Sequence, residues 1–170
     1  MKKILIATIF VLALPMCMFA QKFAYVDTEY IFGKIPNYKT AQEQVEKLAS
    51  QYQKEVEDGY KALDQQYQTY QAEKALLSES MRKKREDEII TSERSLKALQ
   101  QKYFNPEGEV FKKQEELLKP IQDQVADAIK SFADEGGYSV IFDLAGNPSI
   151  IYNNPRYDMS DKILDKLGFK

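Results

Sequence analysis

The sequence predicts an α+β fold that is mostly α, in which a small β-rich body carries a long antiparallel helical hairpin. A charged, Gln-rich stretch at residues 38–135 repeats apolar residues at steps of three and four, the spacing of a coiled-coil seam. The repeat loses its phase at residues 76–80, which favours a turn there. Shorter segments rich in β-branched and aromatic residues flank the stretch, at residues 21–37 and 136–170, and are typical of strands.

The first part of the chain, residues 1–20, has the pattern of an export signal. Lys2 and Lys3 precede an apolar run at residues 4–14, which is shorter than the roughly 20 apolar residues that span a bilayer. We expect cleavage after Ala20 and a periplasmic location. Met18 stands where a small residue is preferred, so the neighbouring bonds stay open, and Cys17 leaves a lipoprotein as an alternative.

Composition excludes several kinds of functional site. The chain has no His, no Trp and one Cys, Cys17, inside the predicted signal. Cys/His zinc sites, internal disulfides and His-dependent nucleophilic sites are therefore excluded. We expect neither an enzyme nor a bound cofactor. Without Lys2 and Lys3 the 24 basic residues become 22, against 26 acidic ones, and this acidic balance argues against nucleic-acid binding.

Residues 21–37 are predicted to form the first part of the body. Residues 23–27 favour a strand, and Thr28 to Gly33 a helical turn. Asn37 is a favourable N-cap for the helix that follows.

The arm, residues 38–135, is predicted to contain two helices. The first covers residues 38–77 and is about 60 Å long at a rise of 1.5 Å per residue. Ser78 and Ser80 lie in the tip, near 76–80, and can each cap the returning helix. That helix covers residues 81–135 and contains residues that favour kinks, which we consider hinge candidates. These are Pro106, Gly108 and Pro120.

Residues 136–170 are predicted to complete the body. Gly136 and Gly137 stop the arm, residues 138–143 form a strand, and residues 149–152 form a second strand that makes a β-hairpin with it. A short amphipathic helix follows at residues 158–167.

We expect this body to be too small to fold alone. About 50 residues rarely build a sufficient core without disulfides or a metal, so we expect several chains to share one sheet core. The candidates for this oligomer core are the apolar residues of the predicted strands. They are Tyr25, Val26, Val140, Ile141, Phe142, Ile150 and Ile151.

In the order of these segments, the sequence resembles the Skp/OmpH family of periplasmic chaperones. The resemblance covers essentially the whole mature chain: the first strand at 23–27, Tyr30-Ile31-Phe32, the helical hairpin, the segment 137–143 with Tyr152, and the terminal helix that begins at 158–161. It implies a homotrimer whose strands join in a small β-barrel, a trimerisation body, from which three arms enclose a cavity. It also implies that unfolded outer-membrane proteins are held there without ATP. The acidic net charge departs from the strongly basic members of the family.

Two sets of arm residues are candidates for client contact. The aromatic and apolar set can either pack within the hairpin or offer an amphipathic surface to unfolded chains; it comprises Tyr52, Tyr60, Tyr67, Tyr70, Leu77 and Met81. The second set is a basic tip of Arg82, Lys83, Lys84 and Arg85. It can form pairs such as Arg82 with Glu86 and Lys84 with Glu88, or touch an anionic membrane surface weakly.

An alternative function from another class uses the same helices. A coiled-coil envelope scaffold or adaptor would bind one folded partner with its seam closed between subunits. Suppression of the aggregation of an unfolded outer-membrane protein distinguishes the two hypotheses.

Overall fold

The computed structural model describes residues 21–169. The predicted export signal, the cleavage after Ala20 and the alternative at Cys17 lie outside these residues. Within this range the chain forms two strands and six α-helices. They are β1 (Lys22–Val26), α1 (Thr28–Lys34), α2 (Pro36–Glu73), α3 (Glu79–Phe104), α4 (Glu109–Leu117), α5 (Lys119–Gly136), β2 (Tyr138–Asp143) and α6 (Ser160–Leu167), with a 3-10 turn at Pro155–Tyr157. The predicted fold class, α+β and mostly α, is confirmed.

The body is built on a two-stranded parallel sheet. β1 and β2 pair with Ala24 opposite Ile141 and Val26 opposite Asp143. Parallel strands need a long crossover connection, and in this chain the crossover is the entire arm. Since side chains alternate along a strand, Ala24, Val26 and Ile141 share one face, and this face packs on the helices.

The core of the body lies between that sheet face and helices α1, α5 and α6. Its buried members come from both ends of the described chain, which explains how the two predicted parts of the body become one unit. They are Ala24, Val26, Ile31, Ile35, Val125, Ala128, Met159, Ile163 and Leu164.

The predicted β-hairpin is wrong, because residues 149–152 form no strand. The N–H of Ile150 donates to the carbonyl of Asn147 at 3.4 Å, and the N–H of Ser149 donates to the Asn147 side chain at 3.1 Å. These local bonds close turns in place of a ladder. β2 pairs with β1 instead.

The arm is an antiparallel hairpin of helices. α2 is 38 residues long, or about 57 Å, and packs against α3 and α4. It begins with Pro36 at its first position and Ile35 as the cap, so the predicted cap at Asn37 is wrong; proline suits a first turn, where its missing N–H would be unpaired anyway. Three hydrogen bonds between the helices follow the antiparallel order, because residues with higher numbers on α2 bind residues with lower numbers on the returning helices. They are Tyr52 with Glu109, Tyr60 with Gln100 and Tyr70 with Glu86.

The turn at the tip covers residues 74–78, slightly earlier than the predicted 76–80. Ser78 caps α3, as predicted, by accepting the N–H of Met81 at 3.4 Å. Arg82 supports the same turn, since its Nε donates to the carbonyl of Leu77 at 3.1 Å.

The returning part of the arm consists of three helices rather than one helix over 81–135. Pro106 lies in the break between α3 and α4, and Pro120 lies in the first turn of α5. Both breaks therefore coincide with the hinge candidates Pro106, Gly108 and Pro120, as expected from the missing proline donors. Movement at these positions stays a prediction.

Candidate functional site

The second face of the sheet is open. Phe23, Val140 and Phe142 are 48%, 41% and 47% exposed, respectively. Phe23 lies opposite Val140 and Tyr25 opposite Phe142 in the strand register, so these four side chains share the face that points away from the helical core. An exposed aromatic face of this kind is typical of an interaction surface.

A cleft of about 780 Å³ lies over the open face. Its lining combines the sheet with the loop that follows β2, and it includes Phe23, Tyr25, Phe142, Leu144, Ile150, Tyr152 and Tyr157. In the same loop, Ile151 is 98% exposed, an unusual position for a β-branched apolar side chain.

The outer edge of β2 is also open. In the part of the chain that the structure describes, β2 pairs with β1 alone. Both edges of β1 are occupied. β2 pairs with one edge, and on the other edge the N–H of Met159 donates to the carbonyl of Tyr25 at 2.9 Å. An unpaired strand edge can accept another strand, and a sheet of two strands is marginal without further packing.

The structure separates the oligomer-core candidates into two groups. Val26 is in the chain's own core and Ile141 packs against it, whereas Tyr25 lies on the open face although its side chain is buried. Val140 and Phe142 lie on the open face, and Ile150 and Ile151 lie in the loop beside it. Phe23, which shares the open face, lies in the predicted strand at residues 23–27 but was not among the oligomer-core candidates.

The client-contact candidates differ in how far they are exposed. Tyr60, Tyr67 and Met81 are 47%, 52% and 54% exposed, respectively, and Leu77 is half-buried. Tyr70 is buried and donates to Glu86. The exposed members lie along the outer half of the arm.

Tyr52 lies in a polar and aromatic cluster near the middle of the arm. It stacks on Tyr103 with a centroid distance of 3.7 Å and an interplanar angle of 2°, and its hydroxyl donates to Glu109. That hydrogen bond raises the pKa of Tyr52 to about 12 and holds the pKa of Glu109 below its usual value. Tyr52 is therefore positioned for packing, the first of its two predicted roles.

Further exposed apolar side chains on the arm were not singled out from the sequence. Leu76 is almost fully exposed at the tip, and Ile90, Phe104 and Phe111 are partly exposed on α3 and α4. Their exposure could not be predicted from the seam spacing, since Phe104 and Phe111 each lie one position after an apolar residue that fits the seam.

The basic tip is partly paired with acids. Lys84 lies 4.0 Å from Glu88, as predicted, and Arg85 lies 3.5 Å from the same carboxylate. The predicted pair of Arg82 and Glu86 does not form, because Arg82 binds the backbone of Leu77 and Glu86 accepts from Tyr70. Such exposed pairs contribute little to stability.

A polar cleft of about 1080 Å³ lies between α2 and α3 near the tip. Ala62, Gln66 and Thr69 line it from α2, and Ile89 and Ser92 from α3. Small and polar residues at these positions leave the outer seam loosely packed, in contrast to the Val56, Leu96 and Tyr103 cluster nearer the body.

Residues 21–169 contain no group of three or more acidic, His or Cys side chains arranged to hold a metal ion. Among the helices in that range, none combines the length and apolar character needed to cross a membrane.

The comparisons with known proteins agree with this architecture. The model of the OmpH-like outer membrane protein family matches residues 22–167, and the chain belongs to this family. The chaperone protein Skp of Yersinia enterocolitica is 27% identical over 148 residues, 87% of each chain. A solved structure from Caulobacter crescentus, described as a putative OmpH-like outer membrane chaperone, has a TM-score of 0.60 at 15% identity, over 86% of this chain and 83% of that one. At that identity the likeness concerns the fold alone. The resemblance stated from the sequence is confirmed.

Proposed function

We propose that this protein is an ATP-independent periplasmic holdase chaperone. It binds unfolded outer-membrane proteins in a cavity between helical arms and prevents their aggregation. The observation that carries the proposal is the arm, a pair of long helices whose outer half leaves Tyr60, Tyr67 and Met81 partly exposed. The family membership and the similarity to Skp, a chaperone by name, support it.

The chemistry of the arm suits weak capture of unfolded chains. Each partly exposed tyrosine offers an apolar ring and a polar hydroxyl, and methionine adapts to irregular apolar groups. Charged and Gln side chains surround them on the helix surface. A client is therefore held by many small contacts, and it can leave when a better partner binds it.

We propose further that the working form is a homotrimer. The open face of Phe23, Val140 and Phe142 and the unpaired edge of β2 support association through the body. A body of this size rarely buries enough apolar surface to be stable alone. Three arms that project from one shared body would enclose the cavity.

The subunit interface can be tested at the open face. Val140→Glu places a charge in the proposed interface, and light scattering at low micromolar concentration should then report single chains. Leu76→Glu introduces the same charge at the exposed tip and should leave the assembly intact. A wild-type protein that is folded and monomeric at this concentration contradicts the proposed trimer.

Chaperone activity is tested by diluting a urea-unfolded outer-membrane protein into buffer. The purified protein should suppress turbidity at about one trimer per client. The double variant Tyr60→Ala and Tyr67→Ala should weaken suppression while its helical circular dichroism is retained. If the wild-type trimer leaves turbidity unchanged but binds a folded envelope protein, the scaffold hypothesis replaces the holdase.

We also propose a weak contact of the basic tip with anionic membrane surfaces. Arg82, Lys83 and Lys84 lie on the exposed end of the arm, but Glu86, Asp87 and Glu88 follow at once and limit the attraction. Co-sedimentation with vesicles that contain anionic lipid should be weak and lost in high salt. The reversal variant Lys83→Glu and Lys84→Glu should abolish it, and unchanged co-sedimentation of that variant would remove the proposal.

A further inference from the structure

The break between α3 and α4 is held by side chains from three helices. Glu109, the first residue of α4, accepts a hydrogen bond from Tyr52 on α2 and lies 3.2 Å from the ammonium group of Lys102 on α3. Tyr103 on α3 stacks on Tyr52 and donates to Glu55 on α2 at 2.9 Å. We name these five residues the elbow clamp.

We propose that the elbow clamp fixes the angle between α3 and α4, so that the break at residues 105–108 is a rigid elbow rather than a free hinge. Tyr52 and Glu109 are then positioning residues, which set the direction of the outer arm relative to the part of the arm next to the body.

The arrangement of the clamp supports this role. Glu109 lies on one side of the break and Lys102 on the other, so their ion pair spans it directly. Tyr52 binds Glu109 through its hydroxyl and Tyr103 through its ring, and it thereby joins both sides to the uninterrupted helix α2. A change of angle at the break must separate at least one of these pairs.

Hydrogen bonds and close packing also restrain the backbone of the break. The Asn105 side chain accepts the N–H of Glu107 at 2.8 Å, and the Asn105 carbonyl accepts the N–H of Gly108 at 2.9 Å. Gly108 is buried, and a Cβ at this position would come within 2.6 Å of the Tyr103 carbonyl oxygen. The turn therefore has little room for an alternative conformation.

A distance measurement across the break tests the proposal. Cysteines are introduced on exposed positions of α3 and α4, as Lys97→Cys and Glu115→Cys, in the mature chain without Cys17. Spin labels are attached, and labelled chains are mixed with an excess of unlabelled chains, so that each assembly carries one label pair. Pulsed electron resonance then gives the distribution of the label separation.

The expected result is one narrow distribution, which broadens or gains a second maximum in Tyr52→Phe and in Glu109→Gln. Tyr52→Phe keeps the ring that stacks on Tyr103 and removes the hydroxyl alone. Tyr60→Phe is the matched control, because it removes a similar cross-helix hydrogen bond, to Gln100 at 3.1 Å, away from the break. Its distribution should remain narrow.

The proposal is overturned if both clamp variants keep the narrow distribution, or if Tyr60→Phe broadens it equally. Circular dichroism of each variant confirms that the helices are formed. The experiment uses no client, so its outcome is independent of whether the proposed holdase function is correct.

Discussion

The backbone N–H of Asp27 donates a hydrogen bond to the side chain of Ser160 at 2.9 Å, and this bond joins the two ends of the described chain. Ser160 is 2% exposed, and its hydroxyl in turn donates to Asp158 at 2.6 Å. Asp143 makes a second link of this kind by accepting the N–H and hydroxyl of Thr28. Polar bonds therefore hold together the two parts of the body that the arm separates.

Ser160→Ala should lower the free energy of unfolding by about 1–3 kcal/mol, because it leaves the Asp27 N–H without its partner in a partly buried site. Urea denaturation at a fixed protein concentration measures the change. Ser139→Ala, at an exposed position of β2, is the control and should have no effect. Equal stability of the two variants would contradict the role given to Ser160.

Ile163→Ala should destabilise the body by about 2–5 kcal/mol, since Ile163 is completely buried in the core and its truncation leaves a cavity. Thermal unfolding followed by circular dichroism measures this loss. Leu76→Ala removes a similar side chain from the exposed tip and should leave the melting temperature unchanged. A comparable drop in both variants would show that the described core is not where stability resides.

Gly108→Ala should destabilise the arm by about 1–3 kcal/mol, as is usual for overpacking, because the new Cβ meets the Tyr103 carbonyl. Hydrogen exchange should become faster at residues 103–112. Gly33 in α1 is the matched control, because a Cβ added there would have no atom within 4 Å beyond its chain neighbours, and Gly33→Ala should be neutral or stabilising by up to about 1 kcal/mol. Slow exchange at the break in Gly108→Ala would refute the tight packing.

Much of the fold follows from local patterns in the sequence. The seam of the arm, the cap at Ser78 and the breaks near Pro106 and Pro120 each depend on residues close together in the chain. The parallel pairing of β1 with β2 does not, because the two strands meet only after the whole arm has folded back. The expected hairpin at 149–152 failed for the same reason, since β-propensity does not identify the partner strand.

The candidate sites were predictable to a similar extent. The seam spacing placed Tyr52 and Tyr70 on the right face of α2, but their acceptors Glu109 and Glu86 depend on the register between helices. One close approach between the helices is that of Leu96 to Gly59, where a Cβ would come within 2.5 Å of the Leu96 side chain, and this tertiary contact has no local signal. The exposed face at Phe142 likewise becomes visible only once β2 lies beside β1.

The stability that the elbow clamp contributes should depend on pH. The hydrogen bond from Tyr52, followed by that from Lys102, lowers the pKa of Glu109, so the stability it contributes is present above the usual carboxyl pKa and is lost as the pH falls through the lowered value. The same bond raises the pKa of Tyr52 from 10.0 to about 12. That contribution is present below pH 10.0 and is lost as the pH rises through about 12.

The loss of the clamp's stability in acid and its loss in alkali can both be measured. Spectroscopic titration of tyrosinate should show a component near pH 12 that is absent from Tyr52→Phe. The hydrogen-exchange protection factors at residues 103–112, which correct for the slower intrinsic exchange in acid, should fall as the pH drops through the Glu109 titration. The other ionisable groups around Glu109 are Glu55 on α2, Lys102 and Tyr103 on α3, and Lys112 on α4. An identical alkaline titration of the wild-type protein and Tyr52→Phe would disprove the coupling.

The mass of the native assembly, measured before and after an unfolded outer-membrane protein is added, tests the central claim most directly. We predict three chains alone and three chains with one client afterwards, with the client soluble. Folded single chains, or a trimer that remains empty while the client precipitates, would contradict it.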